Sequence, residues 1–173
     1  MRLLFLPKEG IDLFRTLLDS ETSRRVLRFY HPRRSPPGVS VEVATLSSGL
    51  SLVSELRWYV RRYVSGVLFE VAPGRYATLA LASGVYYGRD LRLQEPWEWR
   101  SLLVVRGDDV ERLALDPGEE ASGYSARFPD ADDLVEVWDV PGDGEPAGTA
   151  AGEGFGDPAR ENPLPPPAAE DLP

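Results

Sequence analysis

Between residues 2 and 72 the spacing of the apolar residues switches repeatedly between a period of two and one of about 3.6, and that switching restricts the fold more than any other feature. Residues 2–6, Arg2-Leu3-Leu4-Phe5-Leu6, are a short apolar run that reads as a strand. Across 9–20, Ile11, Phe14, Leu17 and Leu18 share one helical face, with Asp12, Arg15 and Asp19 opposite. Residues 26–30 suit either an extension of that helix or a strand. Pro32 and Ser35-Pro36-Pro37-Gly38 then force a loop. Val39, Val41 and Val43 alternate with polar residues, the pattern of a half-buried strand. Helical spacing returns over 50–64, with Leu50, Val53, Leu56, Val60, Tyr63 and Val64 inward and Ser47 or Ser48 available as a cap. Val67, Phe69 and Val71 make another strand, closed by Pro73-Gly74.

With 26–30 taken as a strand, this is a β-α-β-β-α-β order, the ferredoxin-like arrangement. Residues 76–82, 85–93, 101–106, 110–115 and 134–140 read as an antiparallel continuation, broken by Gly84, Gly88, Pro96, Gly107 and Pro117-Gly118. The expected class is therefore α+β, in one domain spanning residues 1–140. From Pro141 onward the composition changes: 33 residues hold 8 Pro, 6 Gly and 7 acids, with only Phe155, Leu164 and Leu172 as large apolar residues. Such a segment buries too little surface to offset its ordering entropy, so 141–173 is expected to be a disordered acidic tail.

Charge divides the chain too. Residues 1–106 carry 16 Lys+Arg against 10 Asp+Glu (+6), and residues 107–173 carry 3 against 18 (−15), which sum to −9. A sign change of that size concerns partners, or the halves holding each other, and names no reaction. Lys8 is the single Lys beside 18 Arg, a bias that GC-rich codon usage explains, so the positions of the Arg residues are informative and their number is not. The absence of Cys removes thiolate nucleophiles, disulfides and Cys-ligated metals. The apolar run at the start is too short for a signal peptide and no segment reaches the length of a membrane span, so a cytoplasmic, non-membrane protein is expected.

Two clusters are candidate binding surfaces. Arg24, Arg25, Arg28, Arg33 and Arg34, interleaved with Phe29, Tyr30 and His31, concentrate positive potential suited to phosphates or an acidic protein, with Tyr30 or Phe29 offering a stacking face. The competing explanation is a solvated loop paired with nearby acids. On the helix at 50–64, Trp58 and Arg62 lie opposite the apolar stripe, with Arg57 and Arg61 at its border. Trp and Arg in such a place form a contact surface, or simply a local cation–π stack, or Trp58 is buried under the C-terminal sheet.

Other patterns carry less. The third expected strand has no aromatic and no RNA-binding signature, which disfavours an RNA-reading sheet. The run Asp130-Ala131-Asp132-Asp133-Leu134-Val135-Glu136 lacks the Gly and Glu of a calcium loop and reads as a turn before a strand. His31 is the only His, and a phosphodiesterase-type general base there ranks below a surface His before Pro32. Arg160, Pro163 and Pro166 space a base and two prolines as a polyproline-binding groove reads them. No cofactor or metal motif is present. These features predict a non-catalytic interaction module (adaptor, inhibitor or chaperone-like) that binds a protein partner through its Arg/aromatic surface. Nucleic acid is the alternative partner, with the acidic half as internal competitor.

Overall fold

β1 (Arg2–Pro7) buries side chains on both faces, Leu3 and Phe5 on one and Leu4 on the other, as befits a strand hydrogen-bonded on both sides. The computed structural model describes residues 1–88, 97–115 and 118–140. α1 (Leu13–Asp19) starts later than expected, because Asp12 caps it by accepting the Arg15 N–H at 3.0 Å and Gly10 before it is left-handed. Ser20 is extended and starts α2 (Glu21–Leu27), while the buried Ser23 hydroxyl donates to the Leu17 carbonyl.

Residues 26–30 are not a strand. Leu27 packs into the helical core, Tyr30 N–H closes onto the Leu27 carbonyl, and His31, at φ 47°, ends the turn. The second strand is instead β2 (Arg33–Ser35), paired with β3 (Gly38–Glu42). At Gly38 an added Cβ would sit 2.0 Å from the Phe5 carbonyl oxygen, so only glycine allows β3 to approach β1 there.

The helical stretch expected over 50–64 is two helices. α3 (Leu46–Glu55) begins with a capping box between Thr45 and Ser48, and buried Leu56 breaks the run before α4 (Arg57–Tyr63). The expected inward residues are buried, Tyr63 only partly. β4 (Val64–Ala72) then pairs with β1. The order β2-β3-β1-β4, antiparallel throughout with the four helices packed on one face, is the ferredoxin-like arrangement. Burying Phe5 and Phe69 in that interface contributes about 1.5–3 kcal/mol for each side chain.

The sheet continues through β5 (Arg75–Thr78), β8 (Asp133–Trp138), β6 (Arg100–Arg106) and β7 (Asp109–Ala114), eight strands among the described residues. The class is α+β. β8 lies parallel to β5 and antiparallel to β6, so the continuation is not wholly antiparallel. The strand expected over 76–82 stops at Thr78, whose hydroxyl caps α5 (Leu79–Ser83). Where 85–93 reads as a strand, Gly84–Gly88 is a π-helical turn, and 89–93 lies outside the described residues. Residues 141–173 lie outside them as well.

On the helix-free face, Leu4, Leu68 and Tyr76 share one cluster with Leu103, Val105, Val135 and Val137, all nearly inaccessible. Without a helix over them, that burial requires the sheet to curl across its own face. This curl also covers the face that an RNA-reading sheet would need open.

Candidate functional site

The Arg residues that cluster in sequence at 24–34 separate in space. Arg24 and Arg25 lie exposed in the last turn of α2, without an ion-pair partner among the described residues. Arg28 stacks 4.4 Å from the Phe29 ring centroid, and Phe29 is 72% exposed. Tyr30 packs against the helical core and is half-buried, so it is less open for stacking than its sequence position suggests. Neighbouring strand residues face opposite ways, and this parts Arg33 from Arg34. Arg34 pairs with Val39 and turns to the helical side, where it binds Asp12 at 2.8 Å and covers Phe14. That guanidinium, then the Arg15 N–H, holds the Asp12 carboxyl below its ordinary value. Arg33 pairs with Ser40 on the other face and has no partner among the described residues.

Arg33 opens onto a groove of about 480 Å³ at the β2 end of the sheet. Arg2, Phe29, His31, Arg34, Ser40 and Glu42 are among the residues that line it. The Arg2 guanidinium donates to the Tyr76 hydroxyl, which is the main cause of its raised pKa, and it lies near Glu70 and Glu42, which raise it further. Sequence reasoning missed Arg2, which no local pattern joins to residues 29–42, and did not weigh the backbone of His31, the one described non-glycine residue with positive φ.

The second cluster forms one surface. Arg57, Trp58, Arg61 and Arg62 are all exposed on α4, and Trp58 is 57% exposed. Its indole stands edge-on to Tyr59 at 4.9 Å and Tyr63 at 5.8 Å, with the Arg62 guanidinium 5.6 Å from the Trp58 ring centroid. Outward placement and a local cation–π stack, opposed as alternatives in the sequence, therefore coexist. The cluster is anchored. The Tyr59 and Ser20 hydroxyls bond at 2.5 Å, which lowers the Tyr59 pKa, and Lys8 donates to the Arg61 carbonyl at 2.9 Å. The Ser20–Tyr59 bond ties α4 to the α1–α2 junction, next to the helix that carries Arg24 and Arg25.

Several acids of the second half are held in ion pairs, mostly by Arg residues of the first half. Asp130 binds Arg106 at 2.6 Å, Arg106 also meets Glu111 at 3.1 Å, and Asp132 accepts the Gly107 N–H. The acidic run is thus a turn before a strand, as its spacing implies, and among the described residues no three His, Asp or Glu groups are placed to hold a metal. Glu136 is 3% exposed and lies between Arg100 at 3.3 Å and Arg75 at 3.7 Å, with the Trp138 indole N–H donating to it at 2.7 Å. Its sequence signal is an acid between Leu134 and Trp138 at the inward period of a strand. Arg160, Pro163 and Pro166 lie outside the described residues.

Residues 1–82 match the model of a family described as Family of unknown function (DUF5804). The match spans β1 through β5 and ends within α5, so it holds both the groove and the α4 surface and excludes the acidic strands. No curated protein and no solved structure matches the chain. Among the described residues no helix is long and apolar enough to cross a membrane.

Proposed function

We propose that this chain is a non-catalytic protein-interaction module of the cytoplasm, acting as an adaptor, inhibitor or chaperone-like factor, that holds an acidic partner on the α4 surface. Residues 1–140 form the binding domain, and 141–173 an acidic tail that competes for the same cations. The observation that carries the reading is Trp58: an exposed indole with no core role, fixed between two tyrosines and stacked by Arg62. Interfaces concentrate their energy in such Trp and Arg residues, and a side chain already held in place loses little entropy on binding. Arg57 and Arg61 beside it, without a carboxylate partner among the described residues, supply charge for an acidic surface. Placing a photo-reactive amino acid at Arg57 in cells tests the reading. The expected result is a discrete protein adduct that survives nuclease and disappears when Trp58→Ala is added. Adducts only to nucleic acid, or a pattern indifferent to Trp58, would contradict it.

A further inference from the structure

We infer that the groove beside β2 binds a single phosphorylated side chain of the partner protein, an inference that rests on the protein-interaction reading above. The lining is rich in donors and poor in acceptors. Arg2 and Arg33 bring guanidinium groups, His31 an imidazole, and Ser35 and Ser40 hydroxyls, against the carboxylate of Glu42 in the lining and that of Glu70 beside Arg2. Arg34 also lines the groove, but Asp12 takes its charge at 2.8 Å. Arg33 has no partner to give up among the described residues, and Arg2 keeps further N–H donors beyond the one it gives to Tyr76. Planar guanidinium forks are the groups best matched to phosphate oxygens.

His31 holds φ 47° at the end of α2, a conformation that histidine tolerates better than most side chains. The turn there is compatible with glycine, and the chain's only histidine instead adds an imidazole to the groove-lining residues. Phe29, exposed and stacked by Arg28, forms a wall of the same groove on which the organic part of a phosphorylated side chain can rest.

One phosphate fits better than a strand of them, because Glu42 and Glu70 offset Arg2 and Asp12 pairs with Arg34, which leaves Arg33 as the lining guanidinium with no carboxylate partner among the described residues.

Fluorescence anisotropy with a short acidic peptide, phosphorylated or not on one Tyr or one Ser, tests the inference on the full chain. The phosphorylated form should bind at least ~10-fold more tightly, and inorganic phosphate should compete. Arg33→Ala should abolish the preference. His31→Gly should also weaken it about 5-fold or more while leaving the melting temperature unchanged or raised, since glycine relieves the positive φ. A merely structural His31 predicts no change in binding. Equal affinity for both peptides, or full preference retained in both variants, overturns the inference. So does tighter binding of a 12-residue single-stranded oligonucleotide than of either phosphopeptide. Loss of the phosphate preference while the Trp58-dependent adduct persists would remove this site alone; a nuclease-sensitive adduct would remove the protein-interaction reading beneath it.

Discussion

Four helices cover one face of β1–β4, whereas the same face of β5–β8 is closed by α5, Trp97 and the short turn at Ala121–Tyr124. The two regions differ as much in what they do with charge. Around β6–β8 the guanidinium groups are committed to carboxylates: Arg106 to Asp130 and Glu111, Arg112 to Asp139, Arg100 to the buried Glu136. In the helical region Arg24, Arg25, Arg33, Arg57 and Arg61 have no carboxylate partner among the described residues, and Arg28 and Arg62 lie on exposed aromatic rings. Net charge alone therefore misleads. Around β6–β8 the paired cations serve the fold, whereas the helical region pairs Arg15 with Asp19 and Arg34 with Asp12 and leaves most of its other cations available to a partner.

The comparison breaks most severely if the two regions are separable. A chain ending after α5 would leave Leu4, Leu68 and Tyr76 without β6 and β8 to cover them, and would expose the β5 edge. It should fail to fold as a monomer, seen as poor amide dispersion and self-association in size-exclusion chromatography. A monomeric, well-dispersed fragment would show that the curl of the sheet is not needed for burial.

Next in size is Glu136→Ala. It leaves Arg100 buried without its carboxylate and removes the acceptor of the Trp138 indole N–H. Losing one partner of a buried pair costs about 3–5 kcal/mol, to be read as a shift in the denaturant midpoint. A loss under about 1 kcal/mol would mean that this network does not hold β5, β8 and β6 together.

The smallest effect is on acid stability. Arg34 and Arg106 hold the carboxyls of Asp12 and Asp130 below their ordinary 3.8. Carboxyls depressed in this way stabilise the folded state above their unfolded pKa, and that contribution disappears as pH falls through the folded value. Asp12→Asn with Asp130→Asn should lower stability slightly at neutral pH and flatten its decline below about pH 4. A decline as steep as in the unsubstituted chain would show that these exposed pairs contribute nothing.

Much of this was legible in the sequence. Apolar period alone located β1, β3, β4, β6, β7 and β8 to within a few residues, because all but the edge strand β7 bury at least one face, and β7 keeps Val110 and Leu113 half-buried. It failed at 26–30, where Val26, Leu27 and Tyr30 suit both periods and only packing against Leu17 and its neighbours decides for helix. It failed again at 85–93, where β-branched and aromatic residues suggested a strand but Gly84–Gly88 winds into a helical turn. The outward Trp58 was readable because helical geometry fixes its direction. The groove was not, since it joins Arg2 to residues 29–42 across strand pairings that no local pattern reveals.

The central claim, that the helical region keeps most of its cations, those of the α4 surface above all, for a partner and not for the fold, is tested most directly by Trp58→Ala combined with Arg62→Glu. Melting temperature and partner capture should be measured on the same preparation. Trp58 is mostly exposed and its edge-on contacts with Tyr59 and Tyr63 are worth about 1 kcal/mol, so the melting temperature should fall by no more than about 4 °C while capture is lost. Unchanged capture, or a fall well beyond 10 °C of the kind that follows loss of a core aromatic, would contradict it.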